Sequence, residues 1–202
     1  GWLALGAAGA AAAVGLDTTQ NISYQAAALL GALARSHGMQ PVIGAAGSAD
    51  KCAFVREHGA DASIDYGRED LRERVLALTG GRGVDYVLES VGGEALERCL
   101  AALAPMGRLV TIGFSSVDDG HADAIKRIHP ISLFQRSISI GGLNVNNLRI
   151  AGRAAEWAAL VAHVERHGLR PVIGQSWPLA EAAAAHAALE GRRTRGKVLL
   201  RP

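Results

Sequence analysis

The feature that most constrains this chain is a regular alternation that begins at Pro41. Short apolar runs, each closed by glycine or serine, are separated by helical stretches. Pro41–Ala46 reads as a buried strand ended by Gly47-Ser48, and Lys51–His58 as a helix stopped by Gly59. Ala62–Asp65 reads as a second strand. Arg68–Thr79 reads as a charged helix with Leu71, Val75 and Leu78 on one face, broken at Gly80-Gly81. Val84–Ser90, Arg108–Gly113 and Ser137–Leu143 read as further strands. Helices are expected over Glu94–Leu103 and Gly152–His167. Strands alternating with helices of about ten residues build βαβ units, and so a parallel sheet covered on both faces. The near-continuous apolar strands agree, because central parallel strands are buried on both sides. The expected fold is α/β and doubly wound, with strands that include 42–46, 62–65, 86–90, 108–112 and 137–143. The tail reads strand, helix, strand over Arg170–Gly174, Ala180–Glu190 and Lys197–Arg201.

Composition narrows the function classes. The chain has 202 residues, 49% of them apolar but only 4% aromatic, so its core must be mostly Ala, Val, Leu and Ile. A net charge of +2 with both signs interspersed argues against a nucleic acid or a membrane surface as the main partner. The basic cluster Arg192, Arg193, Arg195 and Lys197 reads as a solvated loop. The two cysteines, Cys52 and Cys99, are far apart and lack neighbours at ligand spacing, so neither a disulfide nor a metal site is expected. A reducing cytoplasm fits. The apolar opening Gly1–Val14 has no basic segment and is too short to span a membrane, so it is not read as a signal peptide.

In doubly wound sheets a ligand sits outside the carboxyl ends of the strands, where the strand order reverses. Here those ends carry Gly47-Ser48, Ser90-Val91-Gly92 and Gly113-Phe114-Ser115. Small residues let backbone N–H groups approach a phosphate or ribose closely. Any one of these is an ordinary turn by itself; three on consecutive strands point to a nucleotide crevice. A site that prefers NAD carries an acid at the end of the second strand, for the ribose 2′-hydroxyl. This chain has Gly47-Ser48 there, with Lys51 in the next helix. A hydroxyl and an ammonium suit a 2′-phosphate, and hence NADP(H). Asp50, on the first helical turn, is assigned to the helix dipole. The plain alternative for Lys51 is a solvent-facing lysine.

The phosphate loop admits three registers. In the first, which is preferred, Trp2–Leu5 is the strand and Gly6 and Gly9 belong to the loop, with Ala12 where a third glycine belongs. The following helix then begins near Ser23, leaving a long connection. In the second, Ala13–Asp17 is the strand and Thr18–Ser23 the loop, capped by Asn21 or Ser23. In the third, Trp2–Ala13 is simply a helix.

The segments Ile43–Lys51, His58–Tyr66, Thr79–Asp85, Glu89–Gly93, Gly107–Phe114, Gly168–Gly174 and the ending Ala185–Leu200 carry a resemblance: from Val42 onward the chain resembles the zinc-independent quinone oxidoreductases among the medium-chain dehydrogenases/reductases. These segments cover about four-fifths of the chain, in order and at the right intervals. The resemblance implies a Rossmann-type sheet of order 3-2-1-4-5-6, with NADPH as cofactor. It places Gly47, Ser48 and Lys51 beside the 2′-phosphate and Tyr66 near the adenosine. Ser90, Val91, Gly92, Gly113, Phe114 and Ser115 would line the ribose and nicotinamide. Asn144 to Asn146 would lie near the nicotinamide, and Arg192 would reach the cofactor from the C-terminal segment. Residues 1–168 would be the dinucleotide-binding domain, irregular over 1–23. Residues 169–202 would complete a substrate domain that is otherwise largely missing, since family members carry a β-rich domain before the Rossmann unit.

The function expected is an NADPH-dependent reduction of a small quinone or enone-like molecule, with hydride supplied by the cofactor. No catalytic acid or base is singled out, because no His, Glu or Lys is seen at a strand end with a partner; His121 and His129 read as solvated loop residues. The alternative is a non-catalytic nucleotide-binding or dimerisation module of the same descent. A homodimer is expected through Ser137–Leu143, an edge strand without Lys, Glu or Pro to discourage pairing. The resemblance points the same way, and a proline at Ser139 is the test that the sequence suggests.

Overall fold

The computed structural model describes residues 34–113, 128–144, 147, 152–191, 194 and 196–202, together with the backbone of 12–15. Six strands run parallel in one sheet: β1 Ala12–Gly15, β2 Val42–Ala46, β3 Ala62–Asp65, β4 Val84–Glu89, β5 Leu103–Thr111 and β6 Ser139–Gly142. Their order is β3-β2-β1-β4-β5-β6. The helices are α1 Ala49–Glu57, α2 Leu71–Leu78, α3 Gly93–Ala101, α4 Pro130–Arg136, α5 Ala154–Arg166 and α6 Ala182–Glu190. β7 Ile173–Pro178 and β8 Lys197–Arg201 form a separate two-stranded parallel sheet joined through α6. The five strands expected from the sequence are all present, with the expected parallel sense.

Alternation along β2 shows how the sheet is covered. Ile43 and Ala45 point to a cluster with Leu71 and Val75 of α2 and Leu96, Cys99 and Leu100 of α3. Val42 points the other way and packs on Ala34. Gly44 shares that second face, where Val55 of α1 sits against its backbone. The two faces follow from right-handed crossovers, which place helices on opposite sides as the strand order reverses. Ile64, Val75, Val84 and Leu109 are wholly buried, each stabilising the fold by about 1.5–3 kcal/mol relative to exposure. No helix among the described residues is long and apolar enough to cross a membrane.

Several boundaries differ from the sequence reading. Helix α2 starts at Leu71 rather than Arg68, because the Asp70 carboxylate caps it by accepting the Glu73 N–H at 2.8 Å. β5 starts at Leu103, where a helix had been expected to end. Pro105 and Gly107 suggest a turn in sequence, but they form an irregularity inside the strand, with a register shift between Val84 and Tyr86 on β4. A Cβ on Gly107 would stand 2.7 Å from the Ala104 carbonyl oxygen, so only glycine fits there. Helix α4 had no counterpart in the sequence reading. Its signals were Pro130 in the first turn and His129, whose Nδ1 accepts the Ile131 N–H at 3.2 Å. His129 is therefore a helix cap and not merely a loop residue. Ser137 ends α4 in the left-handed conformation, φ 52°, so β6 begins only at Ser139. In the tail, β7 lies at 173–178 and not at 170–174.

β1 corrects the preferred register of the first loop. Ala12–Gly15 is a strand between β2 and β4, paired Gly15 to Ala45 and to Glu89. Those residues fall inside the loop of the first register and overlap the strand of the second. Gly6 and Gly9 lie outside the described residues and precede β1 in the chain, whereas a phosphate loop follows the first strand.

Candidate functional site

The carboxyl ends of all six strands lie along one edge of the sheet, and the order reverses between β1 and β4. Register ties this edge together: Ala46 faces Asp65, Gly15 faces Glu89, Glu89 faces Thr111, and Thr111 faces Gly142. Gly47, Ser48, Tyr66, Ser90, Val91, Gly92, Gly113 and Asn144 stand immediately beyond those strand ends, with Lys51 in the first turn of α1. Phe114, Ser115, Val145, Asn146 and Arg192 lie outside the described residues.

On the β2 side, Ser48 is the N-cap of α1 but makes no side-chain capping bond. The first amides of a helix point out of its N-terminus and favour an anion there. Lys51 is half-buried in the same turn. The Tyr66 N–H donates to the Ala46 carbonyl at 3.1 Å, tying the end of β3 to β2. The Tyr66 hydroxyl lies 2.9 Å from where a Cβ on Gly47 would stand, so the ring closes over Gly47 only because that residue has no side chain. Besides Asp50 in the first turn of α1, the acid of this corner is Asp65, on β3 and not on β2. Its Oδ1 accepts the Gly67 N–H at 3.1 Å, and its Oδ2 lies 4.0 Å from Arg68 Nε.

On the β4 side the sequence reading missed Glu89. It is the last residue of β4, is wholly buried, and has partners. Its Oε1 accepts the N–H groups of Val91 and Gly92 at 2.5 and 2.8 Å. Its signal was its place at the end of the apolar run Val84–Ser90, since a carboxylate is almost never fully buried unless paired. Its carbonyl accepts the Ile112 N–H at 2.7 Å, and a Cβ on Gly113 would stand 3.2 Å from the Ser90 carbonyl oxygen. The ends of β4 and β5 are thus locked together.

Both cysteines are buried in helices, Cys52 in α1 and Cys99 in α3. Burial pushes the Cys99 thiol up to about 12, helped by the negative Glu89, and burial raises that of Cys52. Among the described residues, no group of three His, Cys, Asp or Glu side chains is placed to hold a metal ion.

Order 3-2-1-4-5-6 with a glycine- and serine-lined edge at the reversal defines a Rossmann-type α/β protein. Comparison with known proteins gives the family. Residues 58–200 match the family model described as zinc-binding dehydrogenase. A quinone oxidoreductase of Pseudomonas aeruginosa is 35% identical over 84% of this chain and 51% of its own length. A 2-haloacrylate reductase of a Burkholderia species is 33% identical over 80% of this chain and 48% of its own. The quinone oxidoreductase of Thermus thermophilus, solved also in complex with NADPH, superposes with a TM-score of 0.73 at 32% identity, covering 96% of this chain and 59% of that one. The chain belongs to the zinc-binding dehydrogenase family, as a quinone oxidoreductase-like medium-chain dehydrogenase/reductase. It spans about half the length of the curated relatives it matches.

Proposed function

We propose that this chain is the NADP(H)-binding part of an oxidoreductase that reduces a small quinone or enone-like substrate. The observation that carries the reading is the β2 corner: Gly47 and Ser48 replace the acid of an NAD site, and Lys51 stands in the adjacent helical turn. The residues fit the cofactor. Gly47 leaves a backbone surface that Tyr66 closes from one side. The Ser48 hydroxyl, which caps nothing, and the Lys51 ammonium suit a 2′-phosphate. Ser90, Val91, Gly92 and Gly113 offer small residues for a ribose and nicotinamide, and Asn144 stands at the neighbouring strand end. The diphosphate would lie past Gly15, where the chain continues through Leu16–Ser23. When bound, the cofactor supplies the hydride, and the protein's part is to orient it and exclude water.

Zinc-independent chemistry belongs to this reading, since the two cysteines are buried in different helices. So does a second, substrate-binding unit. Ile173, Leu199 and Leu200 on the small sheet, and Trp157, Leu160 and Val161 on α5, are exposed. A homodimer through β6 and a cytoplasmic location complete it. The second reading, a nucleotide-binding module without turnover, is favoured by one feature: Leu16–Ser23 contains no glycine. NADPH binding without reduction of any quinone or enone would support it.

The test is titration with NADPH and NADH of the wild type and Lys51→Ala. The wild type is expected to prefer NADPH. The variant should bind NADPH about 10- to 100-fold more weakly, the equivalent of one charge-assisted contact, with NADH affinity unchanged. Equal affinity of the wild type for both nucleotides would refute the reading.

A further inference from the structure

Two contacts tie the C-terminal segment to the elements around the six-stranded sheet, and histidines stand at both. Among the described residues, β7 and β8 pair with each other and with no strand of that sheet. Helix α5 buries none of its side chains. Rings do the fastening where a hydrogen-bond ladder or a shared core would otherwise do it. At the first contact His163 of α5 lies on His37, with ring centroids 4.4 Å apart, and His167 lies 4.3 Å from His163. His163 Nε2 is 2.8 Å from the Ser36 hydroxyl. At the second contact Val172, just before β7, packs on Phe54 of α1. The His58 ring covers Phe54 with centroids 4.1 Å apart.

The charged groups that act on His163 all have one sign. They are His37 on the facing segment, and His167 and Arg166 on α5 itself. Arg35 of the facing segment is turned elsewhere, to the Gly59 carbonyl at 2.6 Å and to Asp61. Asp61 also accepts the Val42 N–H at 2.7 Å, which commits it to the start of β2. The stack can carry one proton, because a cation is tolerated on the face of a neutral ring. A second proton sets like charges on neighbouring rings, and their repulsion favours separation. Partial burial, and then these neighbours, hold the His163 pKa below its usual 6.5. Docking is therefore favoured above 6.5 and is lost as the pH falls through 6.5 towards the folded value.

We propose that the stack of His37, His163 and His167 is an acid-released latch for the whole C-terminal unit. Neutral rings hold α5 against residues 34–37 and so keep Val172, and the β7–α6–β8 unit that follows it, seated on α1. Protonation of neighbouring rings frees the unit while the six-stranded sheet stays folded. What changes is position: the unit leaves with its own two strands still paired. The latch does not depend on the NADP(H) reading, and it assigns to three histidines outside the nucleotide edge a control over how the two sheets are joined.

The experiment reads the second contact while the first is altered. Nuclear Overhauser effects between the Val172 methyl groups and the Phe54 ring are followed in the full chain from about pH 7.5 to about pH 5.5, a window that brackets imidazole titration. Amide protection in β2, β4 and β5 is followed alongside. In the wild type the Val172–Phe54 signal should be present at the upper pH and lost reversibly at the lower, with the strands still protected. His163→Phe stacks but does not titrate, so it should keep the signal throughout. His37→Phe alters the other side of the same contact and should behave alike, which provides a second variant if the first does not fold. His58→Gln removes the imidazole that lies on Phe54 and should leave the pH dependence as in the wild type. A wild-type signal that persists at the lower pH overturns the proposal. So does a loss that is unchanged in both phenylalanine variants, or one abolished by His58→Gln. Loss of strand protection over the same pH range would mean global unfolding and overturns it as well.

Discussion

At the scale of single residues, close approaches between backbone and side chain set the tightest constraints. Gly44 lies in the middle of β2, and a Cβ there would stand 2.1 Å from Val55 Cγ1 and 3.3 Å from Val55 Cβ. Helix α1 can lie this close to the sheet only because Gly44 has no side chain. Gly44→Ala should therefore push α1 outward and cost about 1–3 kcal/mol, read from urea unfolding. Val55→Ala in the same chain removes the clashing methyl groups, so the double variant should lose at least about 1 kcal/mol less than the sum of the singles. Strict additivity would mean that Gly44 and Val55 do not share the space. In sequence Gly44 was one more residue of an apolar strand. Its role depends on a helix that follows the strand and folds back over it, and no local pattern reports that.

Among the elements, helix α5, like α4, buries none of its side chains, and it is held instead by a stack of rings. His163 stacks on His37 with ring centroids 4.4 Å apart and on His167 at 4.3 Å. Its Nε2 lies 2.8 Å from the Ser36 hydroxyl. Partial burial, and then the neighbouring His37, His167 and Arg166, hold the His163 pKa below its usual 6.5. A folded pKa below the unfolded one means that the neutral ring is favoured in the docked state. Its contribution is fully present above the usual value and is lost as the pH falls through 6.5 towards the folded pKa. Amide protection over 154–166, corrected for intrinsic rates, should accordingly fall between about pH 7.5 and about pH 5.5. In His163→Phe, which stacks but does not titrate, protection should depend less on pH. The same dependence in both proteins would show that another group controls the docking. The sequence predicted the helix from its spacing, but a stack of three imidazoles from two separate segments exists only once those segments meet.

For the whole molecule, assembly through the sheet turns on β6. The Leu143 N–H donates to the Thr111 carbonyl and the Ser137 carbonyl accepts from Met106 N–H, so the odd-numbered positions serve β5. Backbone groups alternate along a strand, so Ile140 and Gly142 face away from β5, on the side where no described strand pairs, while the Ile138 N–H is taken by the Leu133 carbonyl. This corrects the proline test: Ser139→Pro would break the bond to β5 and not a contact with a second copy. Gly142→Pro is the cleaner variant, since a Cβ there meets only Thr111 Cγ2 at an ordinary 3.8 Å. If the protein dimerises through this edge, sedimentation should show dimer for the wild type and monomer for Gly142→Pro, with the circular dichroism unchanged. A dimeric Gly142→Pro, or a wild type monomeric at high concentration, would exclude edge pairing.

Legible in the sequence alone were the kind of fold and the edge of the sheet at which the candidate site residues fall. Apolar runs of strand length, stopped by glycine or serine and separated by helix-length stretches, admit few arrangements other than a parallel sheet covered on both faces. Candidate site residues then fall at the strand ends, and the structure has Gly47, Ser48, Ser90 and Gly113 just past them. Lys51 was legible for the same reason, being one helical turn past a strand end. What only the tertiary structure decided was how those ends differ from one another. The placing of β1 at Ala12–Gly15 depends on pairing with two strands distant in sequence, which the alanine-rich first segment does not encode locally. The burial of Glu89 depends on α3 folding back over the turn, so that a carboxylate which looked like one more charge becomes the acceptor for two amides. Periodicity and turn chemistry are local and survive in one dimension. Burial, register and the direction of a charge arise only when remote segments share the same space.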